Sequence, residues 1–261
     1  MIIKLVHLYA EEMNLYGDYG NILSLTKRCT WRGIDIEVIR VKRGDVLDLT
    51  DIDMLFMGGG QDRNQLAVAE DLVTKGSQIR EAVERGMCVL TICGAFQLFG
   101  HYFKTKDGKE LKGISVFDAY TVGSDLRMIG NILVDCTDTF QKSDRGYFLS
   151  VKQSLELIGF ENHSGKTFLG KNVIPLGRVV HGYGNDGTGS FEGCRYRNAF
   201  GTYLHGSLLP KNPWFTDYLI MLALKHRYGS DVAIDPLDDS IEYSAFESAK
   251  RRSETARTTH L

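Results

Sequence analysis

The chain has 261 residues, 43% of them apolar and 25% charged, a balance typical of a globular fold that buries a substantial core as one large α/β domain or two small ones. With 31 basic and 33 acidic residues the formal net charge is −2, which argues against nucleic acid or anionic membrane as a general partner. No run approaches the roughly 18 apolar residues of a membrane span, and MIIKLVHLYAEEMN acquires acidic residues too early for a secretory signal, so a cytoplasmic protein is expected.

In chain order, Ile2 to Tyr9 reads as a strand followed by the loop EEMNLYGDYGN. From Asn21 the apolar positions Ile22, Leu25 and Cys29 share a helical face until Gly33, and Ile34 to Val41 reads as a second strand. This βαβ opening favours a parallel sheet with helices on both faces. Asp53 to Met57 is a short strand running into Gly58-Gly59-Gly60, where the backbone can approach a ligand closely and expose N–H groups. GGGQDR matches neither dinucleotide nor phosphate-loop glycine spacing, so no nucleotide site is expected. Asn64 to Arg85 reads as a helix interrupted near Gly76.

The run GMCVLTICGAFQLFG, residues 86 to 100, is a buried strand that turns at once into a helix, with Cys93 on the bend. A side chain there is pushed out at the strand's carboxyl end, beside backbone N–H groups that stabilise negative charge. An arbitrary cysteine is more often a small buried hydrophobe, and its place on the bend is what favours a nucleophile. The five cysteines, Cys29, Cys88, Cys93, Cys136 and Cys194, form no CxxC pairs, which argues against a disulfide framework or a zinc site.

After Gly100 come short extended pieces around Gly130 to Asp135, Leu155 to Phe160 and Val173 to Val180, read as an antiparallel extension of the same sheet. HGYGNDGTGSFEG is a loop, and Ala199 to Leu204 a last strand that delivers His205 at its end. Pro213 opens a helix through about Tyr228. Residues 236 to 261 read as a charged, solvated tail with little apolar periodicity, separate from a domain spanning 1 to 235 and available to dock a partner. A thiol nucleophile needs a base, and of seven histidines (His7, His101, His163, His181, His205, His226 and His260) His205 has the best topological place.

FMGGGQD, TICGAFQLFG and FGTYLHGSLLPKNP, taken together and in order, resemble the class I, triad-type glutamine amidotransferases, most closely their cobyric-acid-synthase-like branch. NLYGDYGN, SDLRMIGN and GFENHSGKT narrow the resemblance to the members of that branch that serve lipid II isoglutaminyl synthases. The resemblance implies a flavodoxin-like α/β fold with a mixed, mostly parallel sheet. It implies Cys93 as the nucleophile that forms a glutamyl thioester, His205 as base, and an oxyanion hole from Gly94 with Gly59 and Gly60. It further implies Arg127 on the glutamine carboxylate, and Gln97, one helical turn past the nucleophile, as a second substrate contact.

No cofactor or metal is implied. The implied partner is a Mur-ligase-like, ATP-using subunit in a heterodimer; it would accept ammonia and amidate the α-carboxylate of D-glutamate in lipid II to D-isoglutamine.

One position departs from the pattern. Many triad amidotransferases carry a glutamate two residues after the histidine, where this chain has Ser207. Asp18 and Glu192 are unranked substitutes, and a carboxylate donated by the partner is the expectation. The rival readings are a cobyrinic-acid-type amidotransferase, another cysteine hydrolase on a similar scaffold, and a non-catalytic assembly subunit.

Overall fold

The computed structural model describes residues 1–140 and 155–255. His260 and the last residues of the expected tail, 256–261, lie outside them. The fold is α/β, with two six-stranded sheets.

The first sheet is built from β1 (Ile2–Leu8), β2 (Asp35–Val41), β3 (Met54–Met57), β4 (Cys88–Ile92), β11 (Cys194–Tyr196) and β12 (Ala199–Thr202), in the order β11-β12-β4-β3-β1-β2. All pairs are parallel except β11 with β12. Every residue of β3, β4 and β12 is buried, as expected for strands in the middle of a parallel sheet covered by helices. The connecting helices are α1 (Tyr19–Thr30), α2 (Asp62–Glu84) and α3 (Gly94–Phe99), with α4 (Pro213–Tyr228) after the last strand. No helix among the described residues is long and apolar enough to cross a membrane.

From β1 the chain steps to one side to make β2, then crosses to the other side for β3, β4 and β12. The order therefore reverses between β1 and β3, and the loops leaving these two strands diverge over a crevice where ligands of such sheets gather. Register keeps the carboxyl ends level: Met57 pairs with Thr91, and Thr202 with Ile92. Gly58, Cys93 and the segment leading to His205 consequently emerge side by side.

The expected break at Gly76 is absent, and α2 runs straight through it. A Cβ at Gly76 would lie 2.9 Å from Ile114 Cγ2, so this glycine serves close packing against the following loop rather than a kink.

The extended pieces after Gly100 form a second sheet of their own, correcting the expected extension of the first. It comprises β5 (Tyr102–Lys104), β6 (Glu110–Lys112), β7 (Ala119–Asp135), β8 (Glu156–Leu169), β9 (Gly177–His181) and β10 (Phe191–Glu192). The long β7 pairs antiparallel with β8 along its length, while β5 and β9 share its other edge. Alternate residues of β8 face inward, and two of them are glycines. A Cβ at Gly159 would lie 2.7 Å from Leu204 Cβ, and one at Gly165 would lie 2.4 Å from Gln97 Nε2. These two positions let β8 press onto the carboxyl end of the first sheet, and Phe160 and His205 complete the junction by exchanging backbone hydrogen bonds of 2.7 and 3.2 Å.

The carboxyl-terminal segment also differs from the solvated tail read from its composition. Ser240–Thr255 is a helix, α5, whose Phe246 packs with Leu133 and Ile158 of β7 and β8. Lys250 pairs with Glu156 at 2.6 Å. At its foot, the buried Arg28 of α1 takes Asp217 of α4 and Asp239 just before α5, with Arg32 on Asp217 as well. Two arginines thus lock three helices together, and α5 is held by charge and one aromatic anchor rather than by an apolar stripe.

Candidate active site

Cys93 occupies the bend between β4 and α3 with φ +51° and ψ −106°, a strained conformation for a residue carrying a Cβ. Its N–H donates to Thr202 O at 2.8 Å and its carbonyl accepts from Gln97 N at 3.0 Å, so both neighbouring elements fix the bend. The side chain is 6% exposed. Gly94 is required sterically: a Cβ there would lie 2.8 Å from Gln65 Nε2 and 3.0 Å from Gly60 O. Gln65, which no sequence motif marks, donates to Gly60 O at 3.1 Å and so ties the glycine loop to the start of α2.

Three side chains converge above Gly59. A Cβ added at that glycine would lie 2.6 Å from His205 Cε1, 3.2 Å from Asp18 Oδ2 and 3.3 Å from Cys93 Cβ. The groups reach this point from three loops at the carboxyl ends of β1, β4 and β12. Asp18 and His205 are fully buried.

Asp18 uses both carboxylate oxygens. Oδ2 accepts Gly59 N–H at 2.6 Å, and Oδ1 faces His205 Nδ1 at 3.4 Å. The first bond occupies the Gly59 N–H, so of the three glycines that the resemblance implies for an oxyanion hole, Gly59 already has an acceptor. The second places an in-chain carboxylate where one from a partner was expected. Burial disfavours the imidazolium, but negative charge at Cys93, hydrogen bonds to Asp18 and Cys93, and the Asp18 charge outweigh it and raise His205 to about 10.

Glu192, the other candidate acid, does not meet His205. It is buried, and its Oε1 accepts Thr202 Oγ1 at 2.7 Å and Tyr203 N at 2.6 Å. Burial pushes its carboxyl up to about 7, and the same cause pushes Glu161 up to about 7. Both belong to a polar seam between the sheets. His163 stacks flat on Tyr203, with ring centroids 3.6 Å apart, and Tyr203 bonds Thr167 and Gln97. Burial drives His163 down to about 4, helped by Arg127 and His205, so it is neutral and its Nδ1–H donates to Gly165 O at 2.8 Å. The motif GFENHSGKT contains this buried Glu–His pair, but only the pleat of β8 shows that both side chains point inward.

Of the two substrate candidates, Arg127 is exposed on the bulged part of β7, its Nε donating to Asn162 Oδ1 at 2.6 Å. Gln97 is 3% exposed and its Nε2 donates to Tyr203 Oη at 3.1 Å, Tyr203 being fully buried as well. The remaining described histidines lie elsewhere. His7 is buried against Tyr19 and Phe56 and lowered to about 4 by burial, and His101 bonds Ser115 and Asp118. Cys29, Cys88, Cys136 and Cys194 are buried free thiols that burial pushes well up, the behaviour of structural cysteines. Among the described residues, no cluster of three or more His, Cys, Asp or Glu side chains could hold a metal ion.

The model of the CobB/CobQ-like glutamine amidotransferase domain matches residues 4–213. The GatD subunit of lipid II isoglutaminyl synthase (glutamine-hydrolyzing) from Staphylococcus aureus is 36% identical over 243 residues, 93% of each chain. Its counterpart from Streptococcus pneumoniae is 37% identical over 246 residues, 94% of this chain and 89% of that one. In three dimensions a glutamine amidotransferase from Thermotoga maritima superposes with a TM-score of 0.52 at 16% identity, covering 97% of this chain and 92% of that one, a likeness of fold.

Proposed function

The chain belongs to the CobB/CobQ-like glutamine amidotransferase family, and we propose on that premise that it is a glutaminase subunit using Cys93, His205 and Asp18. The observation that carries this reading is the meeting of those three side chains over Gly59. Asp18 accepts the Nδ1–H of His205, and with its pKa raised to about 10 the imidazole holds the Cys93 proton on Nε2 as an imidazolium–thiolate pair. The thiolate attacks the carboxamide carbon of L-glutamine, and the oxyanion of the tetrahedral intermediate lies toward the N–H groups of Gly94 and Gly60. Collapse breaks the C–N bond, His205 returns its proton to the departing nitrogen as ammonia, and a glutamyl thioester remains on Cys93. His205 then takes a proton from water as the water attacks the thioester, giving glutamate and restoring the thiol.

Arg127 suits the substrate carboxylate, because Asn162 holds Nε and thereby aims the guanidinium fork. Gln97, one helical turn past the nucleophile, is the second candidate for holding the substrate. The ammonia goes to a Mur-ligase-like partner in a heterodimer, which uses ATP to activate the α-carboxylate of D-glutamate in the lipid II stem peptide and converts it to D-isoglutamine. The names of the two relatives support the role of a glutamine-hydrolysing subunit and lipid II as the target. Residues 1–235 form the amidotransferase unit, and the outer face of α5 is a candidate docking element. The test mixes the chain with its ligase partner, ATP, lipid II and glutamine. Amidation should require Cys93, and ammonium salts should replace glutamine in Cys93→Ala. Amidation with glutamine by that variant at the wild-type rate would refute the proposal.

A further inference from the structure

Asp18 can act on His205 only while the loop after β1 stays folded over the catalytic end of the sheet. That loop, residues 9 to 18, buries Tyr9, Met13 and Asp18, while Glu11, Asn14 and Gly17 are exposed. Its amino-terminal part is tied to the glycine loop and α2 through Met13, packed against Gly58 and Gly60, and through Glu12 O, which accepts from Asn64 Nδ2 at 2.6 Å; nearer Asp18 three hydrogen bonds connect it to the site. Leu15 N donates to Gly59 O at 3.1 Å, Asp18 Oδ2 accepts from Gly59 N, and Ser207 Oγ donates to Gly17 O at 2.6 Å. The last of these joins the residue before Asp18 to the second residue after His205.

The chain bears a steric and conformational burden to make this bond. Ser207 has φ +49°, a region that side chains with a Cβ rarely occupy. A Cβ at Gly20 would lie 2.2 Å from Ser207 Oγ, so Gly20 must stay without a side chain for the hydroxyl to sit there. Gly206 beside it has φ +72°, and Lys211 Nζ donates to Gly206 O at 2.7 Å, which fixes the turn from its far side.

We propose that Ser207 is a positioning residue whose hydroxyl clasps Gly17 O and thereby holds Asp18 against His205. The inference rests on the glutaminase reading for its consequence and on geometry for its existence. Position 207 is where the resemblance places a glutamate in many triad amidotransferases. Here a hydroxyl stands at that position and secures a carboxylate from the other end of the chain.

The clasp acts only through Asp18, so a double-mutant cycle isolates it. Ser207→Ala and Ser207→Gly both delete the hydroxyl, and the glycine variant also relieves the positive φ, which separates the bond from backbone strain. Each should lower kcat/KM for glutamine hydrolysis by about tenfold, the scale of a mispositioned catalytic group, with the melting temperature held. In an Asp18→Asn background the same substitutions should cost less than twofold more, the mark of a role exerted through Asp18.

A second readout needs no turnover: the titration midpoint of His205, followed by NMR, should fall in both serine variants and not shift further in the Asp18→Asn background. Wild-type protein with partner that shows no Cys93-dependent hydrolysis would refute the glutaminase reading, while the His205 titration would still report on the clasp. An unchanged titration in Ser207→Ala and Ser207→Gly, or an equal loss in both backgrounds, would overturn the inference.

Discussion

Asp18 Oδ1 faces His205 Nδ1 at 3.4 Å across a sequence separation of 187, while Oδ2 of the same carboxylate holds Gly59 N–H at 2.6 Å. One buried side chain therefore orients the base and shapes the glycine loop together. Asp18→Asn retains the volume and removes the charge, and the amide can present a donor to Nδ1 and favour the wrong tautomer. The expected result is a drop in kcat of about a hundredfold or more with a smaller effect on KM, measured as glutamate release. An activity within threefold of wild type in the assembled complex would transfer the orienting role to a carboxylate from the partner.

Gly59→Ala tests the convergence itself. The new methyl would lie 2.6 Å from His205 Cε1, and fully buried His205 cannot retreat without leaving Asp18. Turnover should fall about a hundredfold while the protein stays folded, the penalty of overpacking being about 1–3 kcal/mol. Circular dichroism with a glutaminase assay separates the two effects.

Arg127→Lys keeps the charge and removes the fork. If Arg127 holds the substrate carboxylate, KM for glutamine should rise about tenfold with kcat little changed, and Arg127→Ala should go further in the same direction. A selective loss of kcat with KM intact would place Arg127 elsewhere in the mechanism.

Burial holds Glu192 near 7, above its ordinary value of 4.5. Between those values the folded state binds more protons than the unfolded state, so the contribution of this group to stability falls as pH rises through that window. His7 and His163, lowered to about 4, act in the opposite sense between pH 4 and their ordinary 6.5. Comparing wild type with Glu192→Gln cancels the histidines. The variant should gain on wild type by about 2 kcal/mol between pH 5 and pH 8, seen as about 4–8 °C in Tm. A Tm difference that does not change with pH would show that Glu192 titrates normally.

How much of this was readable beforehand depended on the range of the contacts. The elbow is a local event, since the apolar run 87–92, the glycine at 94 and the apolar stretch after it fix a strand, a bend and a helix without reference to the rest of the chain. TYLHG likewise put His205 at a strand end because β12 is short and wholly buried. Asp18 could be named but not ranked, because its place beside His205 follows from the reversal of strand order between β1 and β3, a property of the whole sheet. The separate second sheet was hidden for a similar reason: β7 and β8 are interrupted by glycines and polar inward residues such as Glu161 and His163, which erase the alternation that marks a half-buried strand. Helix α5 gave no periodic signal, being secured by Phe246 and by ion pairs to Arg28 and Glu156.

The central claim is that Cys93 becomes acylated by glutamine under the control of His205. It is tested most directly by treating the chain, alone and with its ligase partner, with an electrophilic diazoketone analogue of glutamine and mapping the adduct by peptide mass spectrometry. A single adduct is expected on Cys93, prevented by excess glutamine and strongly slowed in His205→Ala. An unmodified Cys93, or labelling of the other four cysteines at the same rate and without protection by glutamine, would contradict it.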